Sequence, residues 1–505
     1  MIASKKHSHI VENTTPLPPC WQRIRPTQAD SDKESRHGIY RIGPGRHFHQ
    51  ALLQTIHDAR EVVLLSSFLL ADKGLADALL QAADRGVRVY VLTASEHRLK
   101  SVGDGLDDFD QRMAEEHKRL LDRLADRVLL RSAGHFHGKF LVADPKTVAR
   151  GWLSTANFNR ALVENVELGI ELDQAAAKTL AGWFSWVFWM EAQHELAKPG
   201  RLAGVNKPPA EPLAPEGEEI FATTNRHHSL RDKAISLIAE AKQEIIVSSY
   251  GWDLDHAIVT ALLGKARFVK VTVLTRPRPA IRDAMKALAA AGVAVLAHDK
   301  LHAKAIVTES GGLVFTANLG ADGLDHGFEV GVSLSDQKLD EVRQILNGWI
   351  ADFPWRFALS MKPSEHCGEI CLAHLPLKEG IRTIVEEKQI SYPPVTAKDA
   401  LDLDAAAIPK FNLPGTDGTE IAARYEFVWE VRAPQLPAKA KELKREVKRS
   451  RVGNDGKLEE FTEKVPYEPP AFEHDGQRYV LWRTPEDTEP ARKLATELKA
   501  RVVVK

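Results

Sequence analysis

The sequence predicts an α/β protein made of two copies of one unit, followed by a separate C-terminal α+β domain. In the first copy AREVVLLSSFLL, GLADALLQAADRG and VRVYVLT follow a strand, helix, strand order, and AKQEIIVSSYGW, LDHAIVTALLGKA and VKVTVLT repeat it. Further along, HGKFLVADPKTVARGWLSTANFN corresponds to HAKAIVTESGGLVFTANLG, and NVELGIEL corresponds to GFEVGVSL. Strands that alternate with helices imply a parallel or mixed sheet covered on both faces.

Composition shifts divide the chain into five segments. Residues 1–36 are polar, and their apolar residues show no regular spacing, which predicts a flexible tail. The two copies occupy residues 37–196 and 219–357, separated by a proline-rich linker at 197–218, where neither helix nor strand can run far. Residues 358–505 contain no third copy. There, strand-like runs surround a long charged segment that we predict to be helical, so we expect an accessory α+β domain.

Composition also limits the function. The chain has 505 residues, 44% of them hydrophobic and 27% charged, which is typical of a soluble globular protein. Its 68 basic and 69 acidic residues leave a net charge of −1, so a site for a polyanion has to be local. Three cysteines are too few for a disulfide framework. The N-terminus lacks a signal-peptide core, and the apolar stretch LAGWFSWVFWM is too short to span a bilayer, so we expect a cytoplasmic protein.

Each copy carries a histidine and a lysine two residues apart at the head of an apolar run. Side chains two apart on a strand point the same way, so His137 and Lys139 share a face, as do His302 and Lys304. By the same parity Asp144, five residues after Lys139, lies on the opposite face. We therefore expect this acid to be a structural support rather than a group that touches substrate.

The next two strands of each copy add a hydroxyl, an amide and a carboxylate. These residues are Thr155, Asn157 and Glu167 in the first copy and Thr316, Asn318 and Glu329 in the second. Each half can therefore present one imidazole, one ammonium, one hydroxyl, one amide and one carboxylate to a common surface, and we predict that Thr155 and Thr316 bind substrate.

That set of groups suits the cleavage of a phosphodiester. Lysine and asparagine would neutralise and hydrogen-bond the non-bridging oxygens as phosphorus becomes five-coordinate. A neutral imidazole can attack phosphorus when a carboxylate holds its other nitrogen, and a second, protonated imidazole can donate a proton to the leaving alkoxide. Two copies thus explain two histidines, and neither a metal nor a cofactor is required.

The tracts HGKFLVAD and HAKAIVTE, each followed by TAN, resemble the paired H-x-K-x4-D motifs of the phospholipase D superfamily. The resemblance covers residues 37–357. It implies two tandem α-β-α units forming a pseudo-dimer, with one shared active site and a covalent phosphohistidine intermediate, so that no second chain is needed. The site residues it implies are His137, Lys139, Asn157, His302, Lys304 and Asn318, with Glu167 and Glu329 as orienting carboxylates. The sequence departs from the family pattern at Glu309, where aspartate is usual, and at Gly327, where the first half has Asn165.

The motifs do not separate the superfamily's nucleases from its phospholipases and phosphatidyl transferases. Because the chain has no predicted membrane segment and carries an extra domain, we favour a metal-independent nuclease that cleaves DNA or RNA in genome defence or DNA processing. The alternatives are a phospholipase D or transphosphatidylase, and a non-catalytic subunit that binds nucleic acid. We expect a protein partner, such as a helicase or a defence complex, to bind the C-terminal domain.

Three further segments have alternative interpretations. The RPRP tract, with Arg276 and Arg278, follows a second-half strand at the position of SEHRLK in the first half, and we predict that it binds substrate. The basic segment KAKELKREVKRSRVGNDGK (439–457) is either a solvated helix face or a patch that follows phosphates. The cluster EHCGEICLAH has a spacing unlike common zinc fingers, so a partly buried helical turn is favoured over a zinc site.

Overall fold

The computed structural model describes residues 4–10, 16–27, 36–94, 111–134, 136–361 and 368–384, together with the strands named below for the C-terminal part. The chain divides into two units. The larger unit comprises Pro19–Leu359 and Cys371–Gly380, and the smaller unit comprises Met1–Pro18, Ser360–Ile370 and Ile381–Lys505. Both predicted copies lie in the larger unit.

The first copy and the segments beside it supply the first set of elements. The strands are β1 (Cys20–Arg23), β2 (Ile39–Ile42), β3 (Val62–Ser67), β4 (Arg88–Ala94), β5 (Leu129–Ala133), β6 (Phe140–Ala143), β7 (Arg150–Ser154), β8 (Glu167–Leu172), β9 (His194–Lys198) and β10 (Arg201–Gly204). The helices are α1 (His47–Asp58), α2 (Lys73–Asp84), α3 (Gln111–Leu124), α4 (Ala161–Glu164) and α5 (Gln174–Met190).

The second copy repeats these elements. Its strands are β11 (Ile220–Thr223), β12 (Glu244–Ser248), β13 (Lys270–Thr275), β14 (Ala294–Ala297), β15 (Ala305–Thr308), β16 (Gly312–Phe315), β17 (Glu329–Leu334) and β18 (Trp355–Ala358). Its helices are α6 (Ser229–Glu240), α7 (Ala257–Lys265), α8 (Arg282–Ala290), α9 (Ala321–Leu324) and α10 (Asp336–Asp352), with a 3₁₀ turn at Pro279–Ile281.

The two copies have the same sheet topology. The first sheet contains the order β5-β4-β3-β6-β7-β8-β2, and the second contains β14-β13-β12-β15-β16-β17-β11. In both, the strand–helix–strand segments pair in parallel, whereas the neighbouring hairpin strands pair antiparallel. The predicted tandem α/β architecture is therefore confirmed, and it places β6 and β15, which follow the two histidines, at equivalent positions.

An apolar layer joins the two sheets. Helix α5 contacts β7 and β11, and α10 contacts β2 and β15. Buried aromatic side chains on these helices include Phe184, Phe188 and Trp349, each at most 1% exposed. Burying a large apolar side chain contributes about 1.5–3 kcal/mol. The tryptophan-rich stretch that is too short to span a membrane is thus the packing layer between the halves, and among the described residues no helix combines the length and apolarity of a membrane span.

A glycine at the same place in each copy lets a helix pack closely on the strand that carries the glutamate. A Cβ added at Gly169 would lie 2.4 Å from the Phe48 ring, and one added at Gly331 would lie 2.6 Å from the Leu230 side chain. These separations are too short for a real Cβ. The glycines two residues after Glu167 and Glu329 therefore serve the same packing purpose in both halves.

Two predicted boundaries need correction. Within the predicted tail, Cys20–Arg23 is a strand that pairs antiparallel with β18, and Trp21 is 1% exposed and lies edge-on to Phe357. The short strand is stabilised by a partner far away in sequence, which local composition does not reveal. The start of the predicted linker is a hairpin of β9 and β10 that turns at Gly200 (φ 69°). Residues 205–219 then run without helix or strand.

In the smaller unit, the strands are Ser4–Ile10, Ile381–Ile384, Gln389–Tyr392, Ala423–Phe427, Trp429–Ala433, Lys444–Val452, Leu458–Pro466, Ala471–His474, Gln477–Trp482 and Val502–Val504. The predicted charged helix is wrong, because Lys444–Val452 pairs antiparallel with Leu458–Pro466. The basic strand faces an acidic one, and Arg449 forms an ion pair with Glu463 at 2.8 Å. This pairing neutralises part of the predicted phosphate-following patch, of which residues 439–443 and 453–457 lie outside the described range.

The predicted helical turn in EHCGEICLAH is also wrong. Gly368–Leu372 is a strand, and the short helix begins only at Leu377. Cys371 is buried, while His366 and Cys367 lie outside the described residues. The backbone is extended here because the apolar residues of this segment are buried in tertiary contacts. This packing outweighs the four-residue spacing of the cysteines, which favours a helical turn.

Candidate active site

The residues that lead into β6 and β15 meet the opposite half of the larger unit. The His137 N–H donates a hydrogen bond to the Phe328 carbonyl at 3.1 Å, and the His302 N–H donates to the Val166 carbonyl at 3.0 Å. Phe328 and Val166 each come immediately before the glutamate of their own half. These backbone contacts therefore place each histidine beside the glutamate of the other copy.

The imidazole–carboxylate pairs cross between the two halves. His137 Nδ1 lies 2.8 Å from Glu329 Oε1, and His302 Nδ1 lies 2.7 Å from Glu167 Oε1. A carboxylate at Nδ1 keeps the proton on that nitrogen and leaves Nε2 as the nucleophilic atom. Sequence reasoning assigned the orienting role to both glutamates, but the exchange of partners is visible only in the structure.

The two threonines position the glutamates. Thr155 Oγ1 donates to Glu167 Oε2, and Thr316 Oγ1 donates to Glu329 Oε2. Each hydroxyl also accepts a backbone N–H bond, from Leu168 at 2.9 Å or from Val330 at 3.1 Å. Both threonines are fully buried. This corrects the prediction that Thr155 and Thr316 contact substrate, because their hydroxyls are already engaged behind the carboxylates.

The lysines lie beneath the histidines. Lys139 and Lys304 are fully buried, whereas the side chains of His137 and His302 are 22% and 14% exposed. Each lysine Nζ donates to the carbonyl of the histidine two residues earlier, at 2.6 Å in both halves. The imidazoles are therefore more accessible from outside the chain than the lysine side chains.

Burial and the neighbouring charges set the protonation states. Burial lowers the pKa of His137 to about 4 and that of His302 to about 3, against the raising effect of the paired glutamates. Burial also lowers the pKa of Lys304 to about 8 and that of Lys139 well below its ordinary value. The carboxyl pKa values are raised by burial but lowered further by the histidines and lysines, with a net decrease. The unliganded imidazoles are therefore neutral at pH 7.

The asparagine amides complete the predicted set. Asn157 and Asn318 follow β7 and β16 and are partly buried. Their Oδ1 atoms are buried and have no hydrogen-bond partner within the described part of the chain. Buried amide oxygens normally accept a hydrogen bond. Because both halves show the same exception, the two asparagine side chains are candidates for binding a ligand.

Asp144 and Glu309 hold backbone rather than substrate. The Asp144 carboxylate accepts bonds from the three N–H groups of residues 60–62, at 2.8 to 3.0 Å. Glu309 accepts from residues 242–244 at 2.6 to 3.3 Å. The predicted structural role of this acid agrees with these contacts, and Glu309 performs it as well as aspartate does. Both acids fix the start of the strand next to β6 or β15.

Replacing Asp144 by alanine is expected to lower the free energy of unfolding by about 1–3 kcal/mol, because it leaves the partly buried N–H groups without their charged acceptor. The turnover number should be retained. Chemical denaturation and steady-state kinetics on the same preparations test this, with Lys146→Ala, an exposed neighbour, as control. A large loss of turnover at unchanged stability would place Asp144 in the active site instead.

Sequence reasoning missed a serine that supports each motif. Ser66 Oγ donates to the Gly138 carbonyl at 3.0 Å, and Ser248 Oγ donates to the Ala303 carbonyl at 2.8 Å. Each carbonyl belongs to the residue between the histidine and the lysine. Both copies have a Ser-Ser pair at the same position, in LLSSF and in IVSSY. A comparison of the two copies could therefore have identified these serines as candidate site residues.

The two flanks of the site differ. Beside His137 lies the Phe68 ring, with 5.1 Å between ring centroids, and Phe68 packs with Leu69, Ala94 and Met113. The corresponding ring beside His302 is Tyr250, at 5.0 Å.

The predicted Arg276 and Arg278 lie on the Tyr250 side. Their Cζ atoms are 5.6 and 4.1 Å from the Tyr250 ring centroid. The SEHRLK tract lies outside the described residues. Within the described chain, no group of three or more His, Cys, Asp or Glu side chains is arranged to hold a metal ion.

A family comparison agrees with this geometry. Residues 52–189 match the family model described as cardiolipin synthase, PLD-like domain. Residues 52–189 therefore form a phospholipase D-like domain. The matched region contains the first motif, and the second half repeats its sheet order and its histidine, lysine and glutamate contacts. This phospholipase D-like chain is therefore, in the broad sense, a phosphodiesterase or phosphoryl-transfer enzyme.

Solved structures with weaker similarity include proteins of different activities. The chain is similar to phosphatidylserine synthase from Haemophilus influenzae Rd KW20 (10% identity, 64% of this chain and 87% of that one, TM-score 0.47). It is also similar to polyphosphate kinase from Porphyromonas gingivalis (13% identity, 67% of this chain and 48% of that one, TM-score 0.42). The phospholipase D family member Nuc from Salmonella typhimurium matches at 17% identity, over 29% of this chain and 91% of that one, with a TM-score of 0.23. No curated protein sequence matches the chain.

Proposed function

We propose that this phospholipase D-like chain is a nuclease that cleaves a phosphodiester of DNA or RNA through a phosphohistidine, without using a metal ion. The observation that carries the proposal is the crossed pairing of His137 with Glu329 and of His302 with Glu167. Each of these histidines also accepts, through its carbonyl, a hydrogen bond from a buried lysine of its own half.

The chemistry follows from the two imidazoles. The Nε2 of one neutral histidine attacks phosphorus, and the bond from phosphorus to the leaving oxygen breaks. The other histidine acquires a proton when the anionic phosphate binds, since a nearby negative charge raises an imidazole pKa, and it donates that proton to the leaving alkoxide. Water then attacks the phosphohistidine, the bond between phosphorus and Nε2 breaks, and the proton of the water goes to the second histidine. Lys139, Lys304 and the two asparagine amides stabilise the non-bridging oxygens.

The cationic flank supports a nucleic-acid substrate. Arg276 and Arg278 lie beside Tyr250, whose ring contacts His302, so a strand extending from the scissile phosphate in that direction meets positive charge. The net charge of −1 over the whole chain makes such a local site necessary for a polyanion.

A phospholipid phosphodiester is the second candidate. The observation in its favour is the apolar flank beside His137, where Phe68, Leu69 and Ala94 form a small cluster with Met113. An acyl-glycerol group could lie against such a surface, as could a nucleobase.

Turnover assays in EDTA separate these candidates. The purified protein is incubated with single-stranded DNA, double-stranded DNA, RNA and phosphatidylcholine vesicles, with and without EDTA. The proposal expects cleavage of at least one nucleic acid at the same rate in both conditions. Cleavage that strictly requires Mg²⁺ would contradict the metal-independent mechanism. Lipid turnover alone would support the second candidate, and binding of nucleic acid without any turnover would make the chain a non-catalytic subunit.

A further inference from the structure

Among the residues that the structure describes, the two flanks of the active site differ, although the two halves are otherwise equivalent. Phe68 and Tyr250 occupy corresponding places beside His137 and His302. After the following strand, however, the first half continues with Ala94, which is buried in the apolar cluster, where the second half has Arg276. The difference lies in the residues around the catalytic groups rather than in the catalytic groups themselves.

Arg278 is an unusual residue for its degree of burial. It is 8% exposed, and its guanidinium lies over the Tyr250 ring with 4.1 Å between Cζ and the ring centroid. Its Nε is buried and has no hydrogen-bond partner among the residues that the structure describes, and no acidic side chain of that part of the chain forms an ion pair with it. Buried charges are normally paired, so this guanidinium is arranged to receive an anion.

Tyr250 links Arg278 to the catalytic histidine. The Arg278 Cζ lies over the Tyr250 ring, 4.1 Å from its centroid, and the donors of a guanidinium lie in its own plane. Tyr250 in turn lies against the His302 imidazole, with 5.0 Å between ring centroids. One aromatic ring therefore contacts both the guanidinium and the imidazole.

We propose that Arg278, assisted by Arg276, forms a subsite for a second phosphate of the substrate, adjacent to the scissile phosphodiester on the His302 side. The inference rests on the proposed nuclease function and makes it more specific.

Binding of small phosphate compounds tests the subsite without depending on turnover. The dissociation constants of the wild-type protein are measured by calorimetry for thymidine 3′,5′-bisphosphate, thymidine 3′-monophosphate and thymidine 5′-monophosphate. The bisphosphate should bind about tenfold more tightly than either monophosphate, since a hydrogen bond between charged partners is worth about that factor. Equal affinity for all three compounds would overturn the subsite, whatever the nuclease assays give.

Two arginine variants locate the effect. Arg278→Met should reduce the advantage of the bisphosphate to less than about threefold, whereas Arg282→Met should keep it. Arg282 is exposed and already paired with Asp283 at 3.0 Å, which makes it the matched control. An undiminished advantage in Arg278→Met would contradict the proposal. If that variant does not fold, Arg278→Lys keeps the charge without the planar donors, and it should lose most of the advantage.

A lipid comparison distinguishes failure of the subsite from failure of the nuclease function. Vesicles with phosphatidylglycerol phosphate are compared with vesicles of phosphatidylglycerol, which lacks the second phosphate. Tighter binding of the former, without a bisphosphate advantage for thymidine, would overturn the nucleic-acid form of the proposal. A bisphosphate advantage that disappears in Arg278→Met supports the subsite even where the EDTA assays find no nucleic-acid cleavage, and only the nuclease function would then fail.

Discussion

Replacing either His137 or His302 by asparagine is expected to lower the turnover number by about a thousandfold or more. One histidine forms the bond to phosphorus and the other transfers the proton, so removing either stops the same reaction cycle. When residues act as a unit, the effects of replacing them on the turnover number do not add. The double variant should therefore have a turnover number close to that of the less active single variant. Steady-state kinetics on the substrate found in the EDTA assays measure all three.

The control for these variants is His194→Asn. His194 lies on the exposed face of β9, outside the site, and its replacement should leave turnover unchanged. Circular dichroism and thermal denaturation exclude unfolding as the cause of any loss. Full activity in either His137→Asn or His302→Asn would contradict a site shared between the two halves.

Replacing Glu167 or Glu329 by glutamine should lower the turnover number by about a hundredfold to ten-thousandfold. An amide in place of the carboxylate no longer fixes the tautomer or stabilises the imidazolium that forms in the reaction. Because the pairs cross between the halves, Glu167→Gln should act on His302, and Glu329→Gln should act on His137. Glu171→Gln, at an exposed position farther along the same strand as Glu167, is the control.

Nuclear magnetic resonance of the imidazole nitrogens distinguishes the crossed arrangement from pairing within each half. In Glu167→Gln the signals of His302 should shift while those of His137 stay near their wild-type positions, and Glu329→Gln should show the reverse. A shift of the His137 signals in Glu167→Gln would mean that each half orients its own histidine.

Repetition made much of this site predictable from the sequence. The two copies share a strand order, and the H-x-K tracts point to His137, Lys139, His302 and Lys304, which the structure brings together. Two-residue parity likewise separated Asp144 from the catalytic face. These predictions depend only on local periodicity and on comparing one half with the other.

The exchange of glutamates between the halves could not be predicted in this way. Each half contains one histidine and one glutamate, so pairing within a half and pairing between halves give the same sequence pattern. The choice depends on how the strand-entry segments meet, through bonds such as His137 N–H to the Phe328 carbonyl. The roles of Thr155 and Thr316 depend on the same packing, since a hydroxyl on the shared face can bind either substrate or carboxylate.

Other differences arose where tertiary partners outweigh local preference. Lys444–Val452 has charged residues at helical spacing, but it is a strand because Leu458–Pro466 pairs with it along its length. Cys20–Arg23 is held by a strand more than three hundred residues later. In both cases the partner is remote or the local pattern is ambiguous, and β structure is sensitive to such context.

The measurement that tests the central claim most directly is the capture of the phosphohistidine. His137→Asn and His302→Asn are each mixed with substrate, quenched within the first turnover, and examined by peptide mass spectrometry. We expect one variant to accumulate a phosphate adduct on its remaining histidine, because it keeps the nucleophile and lacks the acid, and the other to form none. Adducts on both histidines, or turnover in wild type with no adduct in either variant, would contradict a single site in which one half supplies the nucleophile and the other the acid.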